Sequence, residues 1–153
     1  MAEVYFAYGS NVDAVEVDGR TAPSLGVARL DDHRLAFTRR SVRTGTGVAD
    51  VISAPGEVVW GVLYELEPDQ VSALDAKEGL GWAYGRVSRR VRTPAGEEVD
   101  AFLYTVLHKE AEQVPPSDAY LARLLRGARR HGLPTDYVQA LERFQTPIGR
   151  PGP

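Results

Sequence analysis

The chain of 153 residues carries a formal net charge of −3 and contains no cysteine. Its length suits one domain with an ordinary hydrophobic core, and its charge gives no reason to expect nucleic acid as a partner. The missing cysteines exclude disulfides and thiolate chemistry. No stretch approaches the roughly 18 apolar residues that cross a membrane, and the first residues lack the pattern of a signal peptide. We therefore expect a cytoplasmic protein that binds a small molecule, with no membrane or nucleic-acid partner.

Runs of β-branched and aromatic residues predict strands through the first two thirds of the chain. The first strand covers residues 4–8, and two more, 24–30 and 34–39, are separated by a predicted turn at Asp31 and Asp32. The other predicted strands form two hairpins, 48–53 with 58–64 around a turn at 54–57, and 84–93 with 99–106. Gly61, inside the most apolar of these runs, indicates a bend or a close approach between backbones.

Boundary residues predict two helices, one between the two hairpins and one in the last third of the chain. Pro68 suits a first helical position because a helix leaves that N–H unpaired, and Gly79 is typical of a helix end. Ser117 is a predicted N-cap for a second helix, which ends at Gly132 and carries apolar residues at one-face spacing. Both helices should therefore pack one apolar face against the strands.

A shorter helix is predicted to begin at Pro134 and Thr135. Beyond it, residues 147–153 hold three prolines and two glycines, a composition that cannot extend a helix or bury much surface. We therefore expect a single domain over residues 1–146 and a disordered tail over 147–153.

The first predicted strand ends in a small polar turn that is suited to binding a ligand. Glycine at position 9 lets a ligand approach the backbone closely, and Ser10 and Asn11 stabilise such turns with their own side chains. Successive backbone N–H groups in a turn can form a nest for a carboxylate or an oxyanion. We expect the ligand to bind here.

Glu78 is a second candidate, because it falls in the last turn of the first predicted helix. The negative end of the helix dipole would raise the pKa of a carboxyl there, which suits acid/base catalysis near neutral pH. A flexible aromatic loop, residues 79–84, follows it and could carry the carboxylate into a cavity. An exposed glutamate with no function is the alternative interpretation.

Taken together, these segments resemble the γ-glutamylcyclotransferase family over nearly the whole chain. The resemblance rests on five ordered segments: 5–11 on the first strand, 27–30, 47–49 with 55–62, 74–79 around Glu78, and 115–120 with 132–137. It implies an α+β fold in which a small mixed β-barrel holds a central cavity and helices follow at the C-terminus.

The resemblance also implies a reaction. Members of the family release 5-oxoproline from γ-glutamyl compounds, because the α-amine of the substrate attacks its own γ-carbonyl and expels an amino acid. No cofactor is implied, Glu78 is the expected acid/base catalyst, and a homodimer is compatible with the resemblance. The expected substrate-binding residues are Tyr5, Phe6, Ala7, Tyr8, Gly9, Ser10, Asn11, Tyr84 and Tyr120.

Several alternatives stay open at this point. The chain could be a binding or regulatory module without turnover, or a relative that cyclises γ-glutamyl amines or removes a γ-glutamyl protecting group. Asp50 is either a selectivity residue for an amine leaving group or a solvent-facing rim residue. Ser10 lacks the surroundings of a serine nucleophile, and the three histidines show no metal-binding spacing, so we expect no metal.

Overall fold

The computed structural model describes residues 2–144, in which seven strands and three helices form. The expected tail at 147–153 lies outside the described residues. The strands are β1 (Glu3–Ala7), β2 (Glu16–Val17), β3 (Arg20–Thr21), β4 (Ser24–Arg40), β5 (Gly47–Leu66), β6 (Tyr84–Arg92) and β7 (Glu98–Val106). The helices are α1 (Pro68–Glu78), α2 (Asp118–Arg130) and α3 (Thr135–Glu142).

Five of the strands close into a mixed barrel in the order β1, β5, β4, β6 and β7. Neighbouring strands are antiparallel, except that β1 runs parallel to β7, where Tyr5 pairs with Phe102. This arrangement confirms the predicted α+β class with a small barrel. The short hairpin of β2 and β3, which the sequence did not predict, forms a separate two-stranded sheet.

The region predicted as four short strands is one long ribbon of β4 against β5. Asp31 pairs with Val58 and His33 with Ser53, so residues 54–57 of β5 bulge opposite a single residue of β4. The predicted turn at Asp31 and Asp32 and the predicted hairpin around 54–57 were therefore wrong. Both strands bend at this place without reversing direction.

Two left-handed residues produce the bend in the ribbon. Asp32 has φ of 60° and Gly56 has φ of 84°, and the Gly56 N–H donates to Asp32 Oδ1 over 3.0 Å. The sequence therefore identified the turn-forming residues correctly. Asp32 and Gly56 are hydrogen-bonded across the two strands, however, and form a bulge instead of two turns.

Beyond the bend, residues 33–40 and 47–53 form the outer half of the ribbon. It is joined to the ends of β6 and β7 where the Tyr84 hydroxyl donates to the Ala49 carbonyl and the Val106 N–H donates to Asp50.

The helices agree closely with the boundaries predicted from the sequence. Pro68 begins α1, and Gly79 ends it in the left-handed conformation with φ of 73°. The Ser117 hydroxyl accepts a hydrogen bond from the Tyr120 N–H at the start of α2. The inward stripe of α2 is buried, and none of the helices between residues 2 and 144 is long and apolar enough to cross a membrane.

The hairpin of β6 and β7 was also predicted correctly, with Gly96 at φ of 89° in its turn. Gly61 confirms the expected close approach between backbones. A Cβ atom there would lie 2.3 Å from the Ala7 carbonyl oxygen and 2.9 Å from the Phe6 ring. The barrel wall therefore requires glycine at this position.

Candidate active site

Residues of the barrel strands and of two helices line a cavity of about 600 Å³. Its walls come from the turn after β1, the outer half of the β4 and β5 ribbon, the C-terminal end of α1 and the N-terminal end of α2. Segments far apart in the sequence therefore meet at one place.

Most of the predicted site residues line this cavity. The lining includes Tyr5, Tyr8, Gly9, Ser10, Asn11, Glu78, Tyr84 and Tyr120. Phe6 and Ala7 are fully buried and lie outside the lining, because Phe6 points away from Tyr5 on the strand and Ala7 packs close to Gly61. These two residues build the wall behind the site.

The turn after β1 is held in place by α2. The Ser10 N–H donates to the Tyr120 hydroxyl over 3.2 Å, and the Val12 N–H donates to the Gly9 carbonyl over 3.0 Å. Within residues 2–144, the N–H groups of Gly9 and Asn11 donate no hydrogen bond. These two donors are available to an anionic group in the cavity.

Gly9 is required by the packing of this turn. A Cβ atom at this position would lie 2.8 Å from the Tyr120 hydroxyl oxygen and 3.1 Å from Ala49 Cβ. Glycine therefore lets Tyr120 approach the turn closely enough to accept the Ser10 hydrogen bond.

Glu78 is the last residue of α1 and is half-buried in the cavity wall. Burial raises the pKa of its carboxyl, and the Lys77 ammonium and the Asn11 amide lower it in part. The direction of the shift agrees with the sequence argument, and burial of the carboxyl is its largest cause. The Asn11 amide also donates to the Tyr5 hydroxyl over 3.1 Å.

Several phenols face the cavity, and burial is the largest cause of a raised pKa for each of them. They are Tyr5, Tyr8, Tyr84, Tyr104 and Tyr120. A raised tyrosine pKa means that the hydroxyl stays protonated at neutral pH. The cavity therefore contains neutral hydroxyl groups. Those of Tyr8, Tyr84 and Tyr104 already donate within the protein, so they offer a ligand acceptor oxygens.

Sequence reasoning missed Tyr104 as a cavity residue. Its hydroxyl donates to Asp75 Oδ1 over 2.7 Å, and Asp75 lies one helical turn before Glu78. Arg86 is 3.5 Å from the other Asp75 oxygen. Alternation along β7 would have placed the ring of Tyr104 on one face of the strand, but only the barrel topology shows that this face meets α1.

Asp50 is neither a rim residue nor a cavity residue. Its side chain is fully buried outside the lining, and Oδ2 lies 2.7 Å from Thr38 Oγ1 and 2.8 Å from Lys109 Nζ. The N–H groups of Val51 and Val106 donate to Oδ1. The interpretation of Asp50 as a solvent-facing rim residue was therefore wrong, because its partners come from strands that only the fold brings together. A role in selectivity stays a prediction.

The histidines do not gather at the cavity. No group of three or more His, Asp or Glu side chains within the described residues is arranged to hold a metal ion. His131 lies at the end of α2, where Nε2 is 2.9 Å from the Asp13 carbonyl oxygen. This contact joins α2 to the segment after β1.

Known proteins resemble this chain in both sequence and structure. The AIG2-like family matches residues 58–141. The γ-glutamylcyclotransferases of Bos taurus and Homo sapiens are 32% and 31% identical over 149 residues, which is 93% of this chain and 78% of each relative. A solved γ-glutamyl cyclotransferase structure superposes with a TM-score of 0.82 at 30% identity, covering 93% of this chain and 87% of that one. The chain therefore belongs to the γ-glutamylcyclotransferase family.

Proposed function

We propose that this protein cyclises a γ-glutamyl group, releasing 5-oxoproline and an amino acid or amine, with Glu78 as the acid/base catalyst. One observation carries the proposal. Glu78 is the single carboxylate among the described residues that line the cavity, and it faces neutral hydroxyl groups and a turn with available N–H donors. Membership of the γ-glutamylcyclotransferase family supports the same reaction.

The first step requires a neutral α-amine on the substrate. The Glu78 carboxylate accepts a proton from the α-ammonium group, and its raised pKa makes it a better base than an exposed glutamate. The amine then attacks the γ-carbonyl carbon, which forms the C–N bond of a five-membered ring. Holding the substrate chain folded in this geometry can contribute as much as about 7 kcal/mol.

The attack places negative charge on the former carbonyl oxygen. The N–H groups of Gly9 and Asn11 are suited to receive either this oxyanion or the substrate α-carboxylate. Loss of one such donor typically costs about 3 kcal/mol in the transition state. Gly9 also keeps Tyr120 in contact with the turn, so the donors are fixed before the substrate binds.

Collapse of the tetrahedral intermediate breaks the original amide bond. Protonated Glu78 gives its proton to the leaving nitrogen as this bond breaks. The ring nitrogen still carries two hydrogens after the attack, so the regenerated Glu78 carboxylate accepts a second proton from it and passes that proton to the departing amine, which leaves as an ammonium ion. One C–N bond forms, one breaks, and two protons move from the ring nitrogen to the leaving nitrogen. The reaction therefore balances with the substrate and Glu78 alone.

The test is release of 5-oxoproline from γ-glutamyl dipeptides, measured by chromatography for the native chain and for Glu78→Gln. We expect the substitution to lower kcat by at least about 100-fold, because the amide cannot accept the proton. Glu65→Gln is the matched control, since Glu65 is an exposed glutamate of β5 outside the cavity. Substantial 5-oxoproline release by Glu78→Gln would refute the assigned role.

A further inference from the structure

The cavity is far more basic than the chain as a whole. Four cationic side chains line it, whereas Glu78 is its single carboxylate among residues 2–144. The four are Arg39, Arg43, Lys77 and Arg123. The complete chain has a net charge of −3, so the positive charge is concentrated at the site.

The described residues balance the charge of these four cations only in part, through the interaction of the Lys77 ammonium with the Glu78 carboxyl. Within residues 2–144, none of them forms an ion pair. Most arginines elsewhere on the surface have an acidic partner, as Arg90 has in Asp100 and Arg129 has in Glu142. The cavity therefore presents unbalanced positive charge to whatever enters it.

The aromatic wall of the cavity fixes one of these cations. The guanidinium carbon of Arg39 lies 5.4 Å from the centre of the Trp82 ring, where a cation–π contact holds it without using its hydrogen-bond donors. Trp82 itself is 61% exposed and lines the cavity. Arg39 can thus bind a carboxylate from a defined position.

The start of α2 adds to the positive potential. Ser117 and Ala119 line the cavity at the N-terminal end of this 13-residue helix, and Arg123 follows one turn later. The N-terminal end of a helix carries partial positive charge. The dipole of α2 and the cationic side chains of the cavity therefore both favour a negatively charged ligand.

The proposed reaction does not account for this charge. The substrate α-carboxylate can bind the N–H donors of the 8–11 turn, and the α-ammonium meets Glu78. A γ-glutamyl dipeptide with a neutral second residue adds one further carboxylate, and an amine leaving group adds none. Four unpaired cations fit a leaving group that carries more than one negative charge.

We propose that the leaving group is an acidic amino acid, so that the preferred substrates are γ-glutamyl dipeptides with glutamate or aspartate as the second residue. This inference rests on the proposed function. Arg39 and Arg123 are the specificity-determining residues, and they bind the side-chain carboxylate of the leaving residue at the cavity wall.

The experiment compares γ-glutamyl-glutamate with γ-glutamyl-glutamine, which has nearly the same shape but a neutral side chain. We expect kcat/KM of the native protein to favour γ-glutamyl-glutamate by about tenfold in low salt, mainly through KM, because each exposed charge pair contributes modestly. The preference should shrink in 0.5 M NaCl, since salt screens exposed charges.

Arginine variants test which residues produce the preference for γ-glutamyl-glutamate. Arg39→Gln and Arg123→Gln should each reduce the ratio of the two kcat/KM values about threefold, chiefly by raising the KM for γ-glutamyl-glutamate. Arg34→Gln is the matched control, because Arg34 is an exposed arginine of the same strand as Arg39 that does not line the cavity. It should preserve the native ratio.

The outcomes separate this inference from the proposed function. Equal kcat/KM for the two dipeptides, or a preference that Arg34→Gln removes as well, overturns the inference while the cyclotransferase proposal stands. If neither dipeptide is cyclised, the proposed function and the inference that rests on it both fail.

Discussion

At the scale of single residues, the acidity of Glu78 is set by its surroundings. The carboxyl lies at the edge of the cavity, where lost hydration raises its pKa more than the Lys77 ammonium and the Asn11 amide lower it. A carboxylate with a raised pKa is a stronger base than an exposed glutamate, and in its protonated form it can still return the proton. The same desolvation has a cost for folding.

That cost predicts how stability depends on pH. A raised pKa means that the folded protein binds the proton of Glu78 more tightly than the unfolded chain does. The stabilisation is present below the ordinary value of 4.5 and is lost as pH rises through the raised pKa. Glu78→Gln, which stays neutral, should therefore be more stable than the native protein at pH 8, and the difference should shrink at pH 4.

Urea denaturation at both pH values measures this difference. Glu65→Gln removes an exposed carboxylate from β5 and should show no comparable gain at pH 8. A Glu78→Gln protein that is less stable than the native protein at pH 8 would contradict the desolvation argument.

At the scale of elements, the end of α1 positions both Glu78 and the aromatic wall. Gly79 has φ of 73°, and a Cβ atom there would lie 2.7 Å from the Trp82 ring and 3.0 Å from Ala83 Cβ. The Gly79 carbonyl accepts hydrogen bonds from the N–H groups of residues 82–84. One glycine thus ends the helix and starts the loop that carries Trp82.

Gly79→Ala should therefore be more damaging than an ordinary helix-end substitution. The left-handed conformation alone costs roughly 1–2 kcal/mol for alanine, and the contact with Trp82 adds an overpacking cost of about 1–3 kcal/mol. We expect lower stability and a higher KM, because Trp82 must shift from the position in which its ring contacts Arg39. Urea unfolding and steady-state kinetics measure the two effects.

Gly132→Ala provides the comparison at the end of α2. Gly132 has φ of 75°, but among the described residues no atom lies within 4 Å of the added Cβ. This variant should lose only the conformational term and keep the native KM. Equal effects of the two substitutions would show that the Trp82 contact is unimportant.

Local signals explain which elements were predictable. Pro68, Gly79 and Ser117 act within a few residues, so the helix limits could be predicted from the sequence. The bulge needs Asp32 and Gly56 to meet across two strands, and no local pattern distinguishes that pairing from a pair of turns. For the same reason, Glu78 could be predicted as a site residue from its position at a helix end, whereas Tyr104 and Arg39 could not. Their place in the cavity depends on strands that only the barrel brings together.

At the scale of the whole molecule, Asp50 joins separate parts of the fold. Its Oδ1 accepts the N–H groups of Val51 in β5 and Val106 in β7, and its Oδ2 contacts Thr38 of β4 and Lys109 beyond β7. The carboxylate is fully buried, whereas the Lys109 side chain is 41% exposed. The outer half of the ribbon, which forms one wall of the cavity, is thereby fixed to the barrel.

Asp50→Asn tests this structural role, because it keeps an oxygen for the two N–H groups but places an amide NH2 beside the Lys109 ammonium. We expect a loss of about 2–3 kcal/mol in urea unfolding, below the usual cost of breaking a buried pair because Lys109 can turn toward water. Lys109→Met in the Asp50→Asn background should add little, since the two residues act as a pair. The ratio of kcat/KM for acidic and neutral dipeptides should stay native, because Asp50 lies outside the cavity lining. A changed ratio with unchanged stability would instead make Asp50 a selectivity residue.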